Sequence, residues 1–451
     1  MIRLAYRSLR SRATEFTACF LSIFLGSAMI TAFVSLSESG QGNVSAADEE
    51  SLTVMGSVIG GWAIVIVLFS VVSTLGITIR QRASEIGLLR TIGTTPRQLR
   101  RMVVAETSAV AAGASVLALI PGCLLGRWIL SLVKDAEMVS ADVDHSVGAM
   151  TLLSTPVAMV LSAAIAATVA VRRAAKASAR DAERMASNGG RMGKLRVIGA
   201  VLMLTVAISY ASVTVTVMDD SSDPYGAMST AGPASVFASV GLALLAPVLL
   251  RAAATIAGGP MRLGRVAGYL AAFNARRRAL ELSSVLMPVV IFVGIATGTL
   301  YLMAIQADVT EGVVQDAEAK NIEFLNYVVV GMIAAFAAIM IVNTLVAAMQ
   351  RRRREFGQQR LTGATPGQLL GMVGFESVLL TAVGIVLGVV ASTATIVPYS
   401  LVKLDQPLPD NGLGLLIGVV VLAGAVTIGS GVASARRGLQ VPALEAAALP
   451  A

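Results

Sequence analysis

Cysteine, histidine and charge are all scarce in this sequence, and each scarcity closes off a class of function. Only two cysteines, Cys19 and Cys123, occur in 451 residues. Both fall inside long apolar runs, which argues against a disulfide framework or a cysteine metal cluster. His145 is the single histidine, beside Asp142 and Asp144 in a short loop. A metal site needs more ligands than that, so His145 reads as a solvated loop residue and no metal is expected. No G-x-x-x-x-G-K-S/T run is present, so any nucleotide hydrolysis that drives the protein must come from a separate subunit. Charged residues make up 14% of the chain against 55% hydrophobic, and the mean hydropathy is +0.77. That balance is a membrane protein's.

What the chain has in abundance is long apolar runs. A helix crossing a hydrocarbon layer about 30 Å thick needs roughly 20 apolar residues. Runs of that kind lie near 16–36, 57–79, 107–133, 150–171, 196–218, 233–257, 284–305, 325–349, 374–402 and 413–434. The expectation is an all-α polytopic membrane protein of about ten transmembrane helices. The run at 233–257 holds Pro247 and ends in Gly258-Gly259-Pro260, residues better tolerated in membrane helices than in soluble ones. The first run follows a basic N-terminus, as in a signal peptide. It is long and no convincing small-residue cleavage site follows it, so it reads as an uncleaved span.

Basic residues divide sharply across these spans. Of 35 lysines and arginines, only Arg127, Lys134, Lys320 and Lys403 fall on the side opposite the N-terminus. The loops there carry Asp48-Glu49-Glu50, Asp142, Asp144, Asp219-Asp220 and Asp223. The Lys/Arg bias predicts a multi-pass protein with both termini in the cytoplasm. The net charge of +8 then reads as topological anchoring. Without interleaved aromatics these stretches do not make a nucleic-acid surface, and no nucleic-acid partner is expected.

One segment occurs twice. Thr74 to Glu106 returns, without a gap, 270 positions later as Thr344 to Glu376. Identical pairs include Arg82/Arg352, Glu85/Glu355, Gly87/Gly357, Arg90/Arg360, Gly93/Gly363, Pro96/Pro366, Gln98/Gln368 and Glu106/Glu376. Residues 4–12 resemble 270–278 at an offset of 266, each an arginine-bearing apolar stretch suited to an amphipathic helix in the membrane interface. Val171-Arg172-Arg173-Ala174 matches Ala435-Arg436-Arg437-Gly438 at an offset of 264. The chain therefore divides into a first four-span repeat at 1–182, a linker with two additional spans at 183–265, and a second four-span repeat at 266–451. Four is even, so the repeats are parallel, related by an axis along the membrane normal.

Within the duplicated segment, Thr95-Pro96 and Thr365-Pro366 read as a helix N-cap followed by proline at the first helical position. Gly93 and Gly363 precede them as the break in a helix–turn–helix that leaves the membrane and returns. Leu88-Leu89 in the first copy faces Gln358-Gln359 in the second, so the two turns are unequal. Arginines alone could serve topology. Glu, Gly, Gly and Pro recurring in register in both copies are not required by it.

The pattern E-x-G-L-x-R-x-x-G-T-T-x-x-Q-L/I, with a glutamate at the start of the next span, resembles the FtsX/MacB-like permeases of ABC transporters. The resemblance covers residues 1–182 and 266–446. The arrangement of four, two and four spans is similar to the internally duplicated members, including bacitracin-type peptide resistance permeases. It departs from them in one respect: the loops at Ser37–Gly56 and Gln306–Phe324 are too short for a folded extracytoplasmic domain.

The resemblance implies coupling helices at Glu85, Gly87, Leu88, Arg90, Gly93, Thr95 and Pro96, and at Glu355, Gly357, Arg360, Gly363, Thr365 and Pro366. These would dock a cytoplasmic ABC ATPase, in two copies. Glu106 and Glu376 would brace the turns, with Arg90 and Arg360 as the expected partners. The chain itself would bind no cofactor and would not be an enzyme; ATP and magnesium act through the partner subunit. The implied function is a permease of a bacterial plasma membrane that exports or extracts a hydrophobic or amphipathic substrate, a lipid-like molecule or an antimicrobial peptide, amid membrane lipids. Arg127, beside Trp128 toward the outer end of its span, is a candidate substrate contact, with snorkelling to the interface as the simpler role. Asn343 is expected to hydrogen bond between helices. Two other classes stay open: a mechanotransmission module that relays ATPase strokes to an external partner, and a secondary transporter, which the scarcity of mid-span acids disfavours.

Overall fold

A computed structural model describes residues 13–41, 44–53, 55–57, 94–135, 138–176, 193–218, 226–309, 317–409 and 412–448. These residues are almost wholly helical, with no strand among them. The helices are α1 (Ala13–Ser39), α2 (Pro96–Asp135), α3 (Ala149–Lys176), α4 (Lys194–Val217), α5 (Gly226–Ile256), α6 (Arg265–Arg277), α7 (Ala279–Val309), α8 (Ala317–Arg351), α9 (Arg353–Leu361), α10 (Pro366–Leu404), α11 (Leu413–Leu439) and α12 (Ala443–Ala448). Among the described residues nine helices are long and apolar enough to cross a membrane. Each matches one of the expected spans. The tenth expectation, at 57–79, lies outside the described residues from 58 on, and so does the interfacial stretch 4–12. The fold is that of an all-α polytopic membrane protein.

The chain forms two compact units. One holds Met1–Ala182 with Val314–Met332, the other Glu183–Val313 with Ile333–Ala451. Helices α4 and α5, expected as an insertion between repeats, thus belong to the same unit as α7 and α10.

In the first unit, α1 packs along α2, and α3 packs on both. The α2 face toward α1 is a stripe of small residues four apart: Ala114, Ala118, Gly122 and Gly126. A Cβ on Gly122 would lie 2.6 Å from the Thr31 Cβ and 2.8 Å from the Ala28 carbonyl oxygen. Without a hydrophobic driving force in lipid, such close backbone approach is what holds membrane helices together.

The loops at the far end of this unit are tied by carboxylates. Glu38 accepts hydrogen bonds from the backbone N–H of Gly148 (2.8 Å), Met150 (3.1 Å) and Thr151 (3.1 Å), and from the Thr151 hydroxyl. It thereby caps α3, where a negative charge also suits the helix dipole. Asp48 accepts from Ser140 N–H at 3.0 Å, from its hydroxyl at 2.7 Å, and from the Ser45 hydroxyl at 2.7 Å. Burial would raise the Asp48 pKa, but these hydrogen bonds outweigh it and hold the carboxyl below its ordinary value. Two of the acidic groups opposite the arginine-rich side are therefore engaged within the fold.

In the second unit, α7 and α10 repeat the small-residue seam, with Gly384 and Gly388 against Val289 and Val293. Helix α5 lies on both, its Ser235 packed against Gly298 of α7. It is keyed to α10 by an inserted side chain. The Thr395 hydroxyl donates to the Ala231 carbonyl at 2.6 Å and accepts from the Ser235 N–H at 2.9 Å. Those two α5 groups are the i and i+4 partners of an ordinary helical bond, so the hydroxyl has entered the ladder, two residues from Pro233. We expect Thr395→Val to lower the thermal midpoint of the solubilised protein by an amount equivalent to about 1–2 kcal/mol, with Thr395→Ser close to wild type. Equal midpoints for Val and wild type would mean the insertion carries no stability. In α8, the Asn343 amide nitrogen is buried and finds no partner among the described residues, so the expected interhelical bond from that nitrogen does not form there.

Candidate functional site

The second copy of the duplicated segment runs from the end of α8 through α9 to the start of α10. Its turn is fixed from both sides. At the end of α9, Gly363 has φ of 100°, a left-handed conformation natural to glycine. The Gly363 N–H bonds to the Arg360 carbonyl at 3.1 Å and the Ala364 N–H to the Gln359 carbonyl at 2.9 Å, the paired bonds of a Schellman stop. One residue later α10 begins with a capping box. Gln368 N–H donates to the Thr365 hydroxyl at 3.2 Å, and the Gln368 side chain accepts from Thr365 N–H at 2.9 Å, with Pro366 at the first helical position. The first copy carries the same box: Gln98 N–H to the Thr95 hydroxyl at 3.3 Å, and Thr95 N–H to the Gln98 side chain at 2.9 Å.

Beneath the turn is a ladder of charges. Arg352, 5% exposed, donates from Nη1 to Oε2 of Glu376, 2% exposed, at 2.5 Å. Arg352 Nε lies 3.9 Å from Glu355 Oε2, and Glu355 Oε1 accepts from Arg278 Nη2 at 2.6 Å. The Arg352 guanidinium also stands over the Phe356 ring, 5.2 Å from its centroid. Burial opposes the charge on Arg278, yet the Glu355 hydrogen bond and charge prevail and raise its pKa. The ladder therefore links the end of α6, α9 and the membrane helix α10. An apolar cluster of Ala271, Met349, Phe356, Leu369, Met372, Val373 and Ala435 lies with it, joining α6, α8, α9, α10 and α11.

The partner of Glu376 is Arg352, not the expected Arg360. Arg360 turns the other way and donates to the carbonyls of Leu439 (3.2 Å), the last residue of α11, and Val441 (2.8 Å), just past it. The reason is helical spacing: Arg360 lies two turns beyond Arg352, toward the tip of the turn and away from the membrane helix that carries Glu376. Gly357 is buried against the chain's C-terminal helix. A Cβ there would meet the Ala447 nitrogen at 2.6 Å and the Ala443 carbonyl oxygen at 2.9 Å.

The predicted residues thus separate into two groups. Gly357 and Glu376 are buried, and the half-buried Glu355 and Arg360 bond to Arg278 and to the end of α11, so all four hold the element in place. Gly363, Thr365 and Pro366 lie on an exposed crest with Gln358, Leu361, Thr362, Gly367 and Gln368. Leu361, an apolar side chain 57% exposed, tops this crest. In the first copy, Glu85, Gly87, Leu88, Arg90 and Gly93 lie outside the described residues; Thr95 is exposed and Glu106 is 1% exposed. Pro96 opens α2. Arg127 is exposed near the far end of α2. Burial, then the charge of Arg127, lowers the pKa of His145, whose Nε2 lies 3.1 Å from the Ser35 hydroxyl.

Arg352, Arg278 and the helix at 443–448 were not singled out in the sequence. The identity of Arg82 with Arg352 was the one available signal, and it was masked by the run Arg351–Arg354, in which any of four arginines could have been the partner.

The same family model, the FtsX-like permease C-terminal domain, matches the chain twice, over residues 57–179 and 327–443. The chain belongs to the FtsX-like permease family. The two matched stretches begin 270 residues apart and end 264 apart, the offsets at which the duplicated turn and the basic exits recur. A search of curated proteins found no match to the permease. Family membership makes it a multi-pass membrane subunit of the ABC transporter permease kind, a family whose members work with an ABC ATPase. In the permease, both matches include the turn: Gly93 to Pro96 fall in the first and Gly363 to Pro366 in the second.

Proposed function

We propose that this permease is driven through its two turns, Glu85–Pro96 and Glu355–Pro366, each docking one copy of a cytoplasmic ABC ATPase that binds ATP and magnesium. Both termini face the cytoplasm of a bacterial cell, and the two four-span repeats form a pseudo-dimer that the ATPase rocks. The observation that carries this reading is mechanical. The exposed crest at Leu361–Gln368 is locked by a Schellman stop and a capping box, and its base is pinned to α10 through Arg352 and Glu376. A load applied at such a crest reaches the membrane helix instead of being lost in a soft loop. A topological anchor would need neither the lock nor the pin.

The cargo is hydrophobic or amphipathic, a lipid-like molecule or a membrane-active peptide, expelled from or extracted out of the bilayer. Support comes from the predominantly apolar spans and the short loops. In this reading Arg127 meets an anionic group on such a cargo, which its exposure beside Trp128, 59% exposed, supports.

The test is co-purification with the ATP-binding subunit encoded by the neighbouring reading frame. Gly363→Val forces a β-branched residue to φ of 100°, and Gly93→Val is the same substitution at the aligned position of the first copy. Each single variant is expected to lower ATPase retention severalfold, and the double variant to abolish it, while the permease still inserts and folds. Undiminished retention in the double variant would refute docking at the turns.

A further inference from the structure

Helix α6 has two faces, and the outer one is not what water would select. Gly268, Ala271, Ala272 and Ala275 are buried, and the helix packs on α5, α7 and α10. The opposite stripe is exposed: Val266 (61%), Tyr269 (51%) and Phe273 (44%), with Leu263 (89%) just ahead. Tyr269 and Phe273 stack with centroids 6.4 Å apart. Arginines bracket this stripe, Arg262 and Arg265 at one end and Arg276 and Arg277 at the other, all exposed. Arg277 stands 5.7 Å from the Phe273 centroid. Arg265 and Arg276, the inner members of the two pairs, are about 16 Å apart along the helix. No aspartate or glutamate occurs from 251 to 280. None of these four arginines makes an ion pair among the described residues.

The backbone adds a second, independent observation. Arg265 has φ of 55° and ψ of −136°, a region that glycine occupies freely and a side-chain-bearing residue does not. Gly264 immediately before it packs against the Phe375 ring, and Gly268 against the Met261 carbonyl, so the elbow is held tightly on both sides. An arginine kept at a position where its backbone is strained points to a use for its guanidinium.

We propose that the outer face of α6 binds the headgroups of anionic phospholipids in the leaflet on the arginine-rich side of the membrane. The aromatic stripe enters the acyl–headgroup boundary, and each arginine pair takes a phosphodiester through charge-assisted hydrogen bonds. Two arginine pairs this far apart address separate lipids. Because Arg278 continues from Arg276 and Arg277 and pairs with Glu355, the lipid-facing helix is wired to the turn described above. The binding itself does not depend on ATPase docking.

The permease alone, reconstituted with spin-labelled phosphatidylglycerol or phosphatidylcholine, reports the relative affinity of each lipid for the protein boundary. Wild type is expected to prefer phosphatidylglycerol. Replacing Arg262, Arg265, Arg276 and Arg277 with Gln should bring the preference toward unity, each loss contributing up to about fivefold at low salt. Arg265→Gly should lower the preference while leaving the thermal midpoint unchanged or raised, because the backbone strain is relieved; a merely structural arginine would not behave so. Arg436→Gln with Arg437→Gln, exposed arginines elsewhere on the same unit, should leave the preference in place. A quadruple variant that keeps the preference, or an Arg436/Arg437 pair that lowers it equally, would overturn the assignment.

Discussion

Glu376→Ala is expected to destabilise the permease by about 3–5 kcal/mol, the usual loss when one member of a buried ion pair is removed. The geometry supports the upper part of that range. Arg352 and Glu376 are both nearly inaccessible, and among the described residues the deletion leaves the guanidinium with Glu355, at 3.9 Å, as its remaining ion-pair partner. The Arg278–Glu355 pair is a different case. Its side chains are 30% and 39% exposed, so Glu355→Gln should alter stability by less than about 1 kcal/mol despite the shorter-than-average contact. A double-mutant cycle separates the two. Arg352→Met with Glu376→Leu should recover most of the loss, because desolvating the pair is itself expensive and an apolar pair fits the adjoining cluster of Met349, Phe356 and Met372. Arg352→Lys, with Glu376 intact, should itself lose stability, since an ammonium cannot both hold the glutamate and cover the Phe356 ring as the guanidinium does. Thermal unfolding of the solubilised variants reads the cycle. Simple additivity would mean that the two residues are not coupled.

Gly357→Val is expected to drive the C-terminal helix off α9. The new side chain must occupy space now held by the backbone of Ala443 and Ala447, and backbone cannot rotate away as a side chain can. Overpacking of this kind costs about 1–3 kcal/mol. The short helix α12 has only six residues, and Ala446, 2% exposed, is the one buried among its described side chains, so detachment is the easier relaxation. Hydrogen exchange at 443–448 should rise to the level of an unfolded segment in the variant. In a chain ending at Gln440, the same substitution should have little further effect. Unchanged protection of 443–448 in Gly357→Val would show that the helix is not seated there.

How much of this was legible beforehand follows from what each feature depends on. The spans and the basic side were legible because hydrophobic length and arginine placement are local properties of a membrane chain. The turn was legible because its chemistry is local too: Thr365, Pro366 and Gln368 act within one helical turn. The pairing of Glu376 was not, since it depends on which arginine of a four-residue run points inward, and that is set by the packing of α9 on α10. Gly357 stood out as recurrent, but its reason lies 90 residues away at Ala447. Thr395 offered no signal at all, because a hydroxyl entering a neighbouring helix leaves no spacing pattern in its own. The carboxylates were the least legible: Asp48 reads in sequence only as part of an acidic loop yet holds Ser140 in the fold, and Glu38, which no pattern singled out, caps α3.

The most direct measurement places a photo-crosslinking residue at position 361, on the exposed crest, and another at position 408, in the loop at the opposite end of α10. Each is irradiated in membranes that contain the ATP-binding subunit. Docking at the turn predicts a crosslink to that subunit from 361 and none from 408. No crosslink from 361, or an equal yield from both positions, would contradict it.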